Sequence, residues 1–313
     1  MSEASTLAVV LEAPERLALA PVTLVAAGAD DVLVDVEWSG ISTGTERLLW
    51  SGRMPPFPGL GYPLVPGYET IGRITEASGP SRKRIGQRVF VPGSRGFADV
   101  RGLFGGAAKR LVVPAAKAVA VDEALGENAV LLALAATARH AAAGGDLPEL
   151  VVGHGVLGRL MARLIKALGG DPVVWEHSEA RRSGAEGYRV VEPGAEGRTD
   201  YRTICDVSGD ARILDALIGR LAPGGEIVLA GFYDTALSFA FPPAFMREAR
   251  IRVAAEWKPV DMEAVISLVS AGRLSLDGLI THRAAAEDAP DAYRTAFADP
   301  GCLKMILDWR ARA

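Results

Sequence analysis

Thiols and imidazoles are scarce in this sequence. Its 313 residues include two cysteines, Cys205 and Cys302, and four histidines. The cysteines stand far apart in apolar surroundings and form no CxxC pair, which excludes a disulfide framework and a structural zinc lobe. The histidines, His140, His154, His177 and His282, are too spread for a histidine-based metal site. Six lysines accompany 28 arginines, the arginines are scattered, and the net charge is −4. No basic footprint for nucleic acid exists. The longest apolar run, 129–138, is too short to span a bilayer. Met1-Ser2-Glu3 is acidic where a signal peptide would be basic. A cytoplasmic protein with no transmembrane segment is the expectation.

What is present is ordinary for a globular enzyme: 49% hydrophobic and 23% charged residues, enough to bury a large core without staples. The length favours two domains. The first third reads as β. Short β-prone runs at 7–11, 32–36, 70–75, 88–91 and 110–113 are punctuated by Gly/Pro clusters. A short helix fits 45–50, opened by Thr45 and Glu46. The segment 54–66 is proline-rich and irregular. The texture changes near residue 122. An alanine-rich helix over 128–143 precedes alternating strands (150–152, 173–175, 203–207, 226–230, 251–254) and helices (157–168, 211–221). That alternation predicts a parallel α/β sheet. A helix over 262–271 and a mixed tail follow, with β-like 279–282 and 303–307.

The strongest motif is Gly153-His154-Gly155-Val156-Leu157-Gly158. A lone GxGxxG is weak, but this one follows the apolar run Leu150-Val151-Val152 and opens an amphipathic helix, the context of a dinucleotide fingerprint. The glycines permit a tight turn, close approach of backbone to a pyrophosphate, and close helix–strand packing. The helix start offers N–H groups from Val156, Leu157 and Gly158 to the phosphates. An acidic residue is expected about 20 residues on, and Glu176 stands there. Its carboxylate suits the ribose hydroxyls of NAD and would repel the 2′-phosphate of NADP by about 4 kcal/mol at an effective dielectric near 20. Further cofactor contacts are expected outside the carboxyl ends of later strands, at Gly209 and Gly231. His154, in a free position of the motif, is expected to face the pyrophosphate or to pack. His140 reads as a packing or cap residue, and His177 as adenosine-side or solvent-exposed.

Gly40-Ile41-Ser42-Thr43-Gly44 matches the GxSxG nucleophile elbow. A hydrolase would need Asp and His partners in that chain order, and the dinucleotide motif already explains the architecture around His140 and His177.

With the glycine motif placed second and a β-rich part first, the chain resembles the medium-chain dehydrogenase/reductase superfamily. The landmarks are Ser39-Gly40-Ile41 with Gly44-Thr45-Glu46, Pro66-Gly67-Tyr68-Glu69 with Gly72, Gly86-Gln87-Arg88-Val89, and Leu221-Ala222-Pro223-Gly224-Gly225. Longer strings resemble one family within it, the bacteriochlorophyllide a dehydrogenases. These are 39–46, Met54-Pro55-Pro56-Phe57-Pro58-Gly59, 62–69 and 241–250. The resemblance implies an α/β protein with a GroES-like β-rich catalytic domain (1–121), a Rossmann doubly wound parallel-sheet domain (122–256) and a C-terminal return to the catalytic domain (257–313). It implies NAD-dependent oxidation of the 3-(1-hydroxyethyl) group of a bacteriochlorin substrate to 3-acetyl. It also implies a homo-oligomer, in the cytoplasm or peripheral to the photosynthetic membrane.

Zinc-dependent members of the superfamily bind catalytic zinc through Cys, His and Cys. Here Thr43 (or Ser42), Tyr68 and Ala133 correspond, so a zinc-free enzyme with no protein metal site is expected. Thr45 matches the hydroxyl that relays protons in zinc relatives. Tyr68 is a candidate hydrogen-bond partner of the substrate alcohol, and Glu69 a candidate to orient it or pass on a proton. A broad apolar cleft is expected, with Trp50, Met54, Phe57, Tyr62, Phe90, Phe97 and Phe104 as candidates and about half of them facing substrate. Two other readings stay open: a zinc-free NADPH-dependent quinone or enoyl reductase, and a dinucleotide-binding protein without catalysis.

Overall fold

The structure, a computed structural model, describes residues 5–310; Met1-Ser2-Glu3 lies outside them. The chain begins with β1 (Ser5–Ala13) and β2 (Arg16–Thr23), joined as an antiparallel hairpin. Then come β3 (Asp31–Ile41), α1 (Thr45–Trp50), β4 (Leu64–Val65), β5 (Thr70–Ala77), β6 (Arg88–Val91), β7 (Arg101–Gly102), β8 (Arg110–Pro114) and β9 (Val119–Ala120). In β3, buried Val32, Val34 and Val36 alternate with half-buried Leu33 and Asp35, the period of a strand with one face on a core. The alanine-rich run becomes α-helical only at α2 (Leu132–Ala142). Ahead of it lies a 3-10 stretch, Glu123–Leu131, capped by the Asp122 carboxylate on the Ala124 N–H.

A parallel sheet follows, from β10 (Leu150–Val152), α3 (Val156–Ala167), β11 (Val173–Trp175), β12 (Arg189–Val191), β13 (Tyr201–Asp206), α4 (Leu214–Ile218), β14 (Leu221–Leu229), α5 (Phe241–Met246), β15 (Arg250–Val253) and α6 (Pro259–Ser270). The order in space is β12-β11-β10-β13-β14-β15. From β10 the chain winds outward to β12, then returns to β13 on the other side. The switch point therefore lies between β10 and β13, where open α/β sheets bind ligands. Val152 is level with both Trp175 and Asp206, so Gly153, Glu176 and Val207 emerge in one row.

The last elements are β16 (His282–Ala285), α7 (Ala289–Ala298) and β17 (Met305–Asp308). They extend the β-rich sheet, whose order is β16-β17-β3-β5-β6-β9 with β8 also on β3. The chain forms two compact units: up to Leu132 together with everything from Asp277, and Ala133–Leu276. These divides fall later than 121/122 and 256/257. The 3-10 stretch is tied to the first unit by Arg88 to Gly126 O, Arg73 to Glu123 and Arg283 to Glu127. Helix α6 is tied to the second by His140 Nδ1 to Asp261 at 2.8 Å. Among the described residues no helix is long and apolar enough to cross a membrane.

Candidate active site

In the parallel-sheet unit, α3 begins where β10 ends. Gly155 is its N-cap, and no side chain caps it, so the first-turn N–H groups of Val156, Leu157 and Gly158 are available to an anion. Gly158 has to be glycine: a Cβ there would sit 1.9 Å from the Gly153 carbonyl oxygen. Glu176, just past β11, is half-buried. Its two carboxylate oxygens accept from His154 N (2.9 Å) and Ser178 N (2.8 Å). Both bonds fix the carboxylate while leaving lone pairs for hydroxyl donors.

Of the two outcomes open for His154, facing the pyrophosphate or packing, the ring takes the second. The ring is fully buried, with Nδ1 on Arg181 O (2.6 Å) and Nε2 on the Tyr188 hydroxyl (2.9 Å). Burial drives its pKa down to about 4. The neutral ring therefore donates from Nδ1 and accepts at Nε2. Arg159 donates to the carbonyls of His154, Arg181, Ser183 and Gly184. Together they hold the loop after Glu176 in place. His177, by contrast, is exposed. Beyond the switch point, Asp206 is buried and accepts from Tyr233 Oη (2.6 Å) and Ser208 N (2.9 Å). Burial raises its pKa. This latch keeps the loops of Gly209 and Gly231 against each other; a Cβ on Gly231 would lie 2.9 Å from Gly209 N.

The β-rich unit gathers hydroxyls and carboxylates at the end of β3. Ser42 Oγ and Tyr68 Oη are 2.6 Å apart, and the Thr45 side chain lies near the same phenol. Burial, and then the Glu69 charge, push the Tyr68 phenol well above its ordinary range. It stays protonated at neutral pH, so it acts as a hydrogen-bonding phenol and not as a base. Glu46, on α1 and fully buried, accepts from Ser42 N (3.0 Å) and Tyr293 Oη (2.7 Å). Burial raises its pKa to about 7. Glu69 is also fully buried and is gripped by Lys304 Nζ at 2.9 and 2.6 Å.

An aromatic wall leads to this cluster. The Phe104 ring lies edge-on to Tyr68 (5.3 Å) and to the exposed Phe57 (6.1 Å). Of the other aromatic and apolar candidates, Phe90, Phe97 and Met54 are buried in the core, three of the half that need not face substrate. Tyr62 and Trp50 are partly buried, the former donating to Leu49 O and the latter tilted against Phe297. The GxSxG serine has no histidine in its hydrogen-bond set; its hydroxyl is on Tyr68.

Tyr68, Thr45 and Glu69 thus lie together, as do Gly153, Gly155, Val156, Leu157, Gly158 and Glu176. Sequence reasoning missed Glu46, Tyr293 and Lys304 as members. A signal existed for the last: a lysine inside the apolar run Cys302-Leu303-Lys304-Met305-Ile306-Leu307. The donor set does not fit a catalytic zinc. Ser42, Thr43 and Tyr68 offer neither thiolate nor imidazole, and both nearby carboxylates are committed elsewhere. Among the described residues no group of three or more His, Cys, Asp and Glu is placed to hold a metal ion.

Residues 28–123 match the Alcohol dehydrogenase GroES-like domain. The chain is 57% identical over 316 aligned residues to the 2-desacetyl-2-hydroxyethyl bacteriochlorophyllide A dehydrogenase of Cereibacter sphaeroides, covering 98% of this chain and 99% of that one. It is 55% identical to the protein of the same name from Rhodobacter capsulatus, covering 97% and 98%. The fold matches an Escherichia coli alcohol dehydrogenase solved with the cofactor NADH: TM-score 0.83, 22% identity, 97% of this chain and 99% of that one.

Proposed function

The chain belongs to the family of 2-desacetyl-2-hydroxyethyl bacteriochlorophyllide A dehydrogenases, and from that premise we propose that it oxidises the 3-(1-hydroxyethyl) group of a bacteriochlorophyllide to 3-acetyl with NAD, in the cytoplasm and without zinc. The observation that carries this reading is the Ser42–Tyr68 hydroxyl pair at the end of the Phe57–Phe104 wall. A flat apolar macrocycle finds aromatic faces there, and its secondary alcohol finds hydrogen-bond partners.

A nicotinamide dinucleotide supplies the hydride acceptor. The first turn of α3 holds its pyrophosphate, and Glu176 takes the ribose hydroxyls. The fixed carboxylate at that position supports NAD over NADP. Oxidation removes a hydride from the carbinol carbon and a proton from its oxygen. Tyr68, protonated, orients the alcohol oxygen by hydrogen bonding. Ser42 is in contact with this phenol and, with Thr45 nearby, completes a hydroxyl relay in which each group accepts one proton as it gives up another. Thr45 is partly exposed and is the outlet to water. Glu69 orients the residue beside it and is not itself the base, because Lys304 occupies both its oxygens.

The parallel sheet bears on assembly. Strand β15 is its edge, and Val253, Phe241, Phe245 and Met246 beside it are all exposed. An unpaired edge flanked by large apolar side chains supports a homo-oligomer. The test of function is an absorbance assay. Purified protein given hydroxyethyl bacteriochlorophyllide and NAD should red-shift the long-wavelength band, with NADP much less effective. No shift with either dinucleotide, or turnover of quinones with NADPH instead, overturns the reading.

A further inference from the structure

The two residues that form the hydroxyl pair belong to different segments, and the same buried cation touches the neighbour of each. Lys304 Nζ donates to Ile41 O (3.2 Å), one residue before Ser42, and to both oxygens of Glu69 (2.9 and 2.6 Å), one residue after Tyr68. All three of its donor positions are thereby used. The pairing register sets this up. Met305 lies opposite Ile41, which brings Lys304 level with Ser42 as β3 ends. Ser39 lies opposite Thr70, and Gly40 N donates to Glu69 O at 2.8 Å. The Lys304 backbone is itself fixed, its carbonyl accepting from Thr281 N and His282 N. Gly40 leaves the space the ion pair needs: a Cβ there would lie 2.2 Å from Glu69 Oε2.

We propose that Lys304, from the far end of the chain, is a positioning residue that clamps the Ile41–Ser42 and Tyr68–Glu69 segments together and so sets the Ser42–Tyr68 contact on which turnover depends. A buried ion pair is a poor source of stability by itself. What this pair supplies is a fixed distance between two loop ends, and small misplacements of a reacting group are costly in rate. The proposal rests on the reading of the hydroxyl pair as the catalytic site.

The test compares the full-length protein with K304M, K304R and the double variant K304M/E69Q. The double variant removes both charges, so it folds even where K304M alone, with an uncompensated carboxylate, does not. Two readouts are taken. The first is kcat and KM on hydroxyethyl bacteriochlorophyllide, with the NAD dissociation constant measured separately. The second is amide hydrogen exchange of peptides covering 38–46 and 66–72. The expected result for the double variant is a kcat about 100-fold lower, a KM and NAD affinity within about threefold, and exchange in 38–46 about tenfold faster. K304R, which keeps a cation and donors, recovers part of the loss. A double variant that turns over within about threefold of the parent, or whose exchange is unchanged, overturns the clamp. If the parent protein itself fails to oxidise the alcohol, the functional reading falls, and the exchange measurement alone decides the clamp.

Discussion

Glu46 makes a measurable demand on stability. Its side chain is fully buried, and burial holds its pKa near 7 against 4.5 for a free glutamate. Between those values the native protein keeps a proton that the unfolded chain has released. Stability therefore falls as pH rises from 4.5 to 7, and levels off above and below. Two and a half pKa units correspond to about 3 kcal/mol. In Glu46→Gln the amide is neutral at every pH. Its carbonyl still accepts the Ser42 N–H, and its NH₂ can face the Tyr293 oxygen. The variant should match the parent near pH 4.5 and exceed it at pH 8 by up to about 3 kcal/mol. At about 2 to 4 °C per kcal/mol that is a rise of about 6 to 12 °C in Tm. Thermal or urea unfolding of the two proteins across pH 4.5–8 measures the difference directly, and groups that titrate alike in both cancel. A difference that does not change with pH, or a variant less stable at pH 8, would refute the buried-acid argument.

Other perturbations follow from the same geometry. Gly158→Ala pushes a methyl group into the Gly153 carbonyl; NAD binding should be lost, and Tm should fall, by calorimetry and dinucleotide titration. Glu176→Gln removes the charge that repels a 2′-phosphate. The ratio of NADP to NAD dissociation constants should fall about tenfold or more, given an ionic term of about 4 kcal/mol in the parent. A ratio that stays put would remove Glu176 from cofactor choice. Tyr68→Phe keeps the ring against Phe104 but deletes the hydroxyl. It should lower kcat about 100-fold with KM little changed, and undiminished turnover would take Tyr68 out of the mechanism.

The arrangement of the glycine motif and its acid was legible because its signals are local. A strand, three glycines and an acid at a fixed distance lie within 27 residues, and the parallel sheet sets their relation. The same locality made Ser42, Thr45, Tyr68 and Glu69 visible as motif residues. What escaped were partners distant in sequence. Tyr293 reaches Glu46 across 247 positions, and Lys304 reaches Glu69 across 235; no periodicity records such pairings. The place of His154 in the glycine motif leaves its side chain open to facing a phosphate or packing; the ring turns inward to Tyr188 and the Arg181 carbonyl. The missed elements are short or weakly patterned. β2 has a mostly half-buried face, α5 opens on two prolines, and α7 sits in a tail that reads as strand on either side.

The way the charges are spent bears on the chemistry. Each carboxylate near the hydroxyl pair faces inward: Glu46 toward a backbone N–H and a phenol, Glu69 toward a buried ammonium. The groups left for a substrate oxygen are Tyr68, Ser42 and Thr45, all hydroxyls and none a strong base at neutral pH. Such a site can hydrogen-bond an uncharged alcohol and an uncharged ketone, but it offers no strong base to take the alcohol proton. A hydroxyethyl group on a conjugated macrocycle suits it, because the acetyl product gains conjugation with the ring and the reaction asks less of proton removal than an isolated alcohol would. On this argument the substrate itself lowers the demand that a metal would otherwise meet. Simple aliphatic secondary alcohols, lacking that conjugation, should be turned over far more slowly than hydroxyethyl pigments even at saturation. Comparable kcat values for the two would refute it.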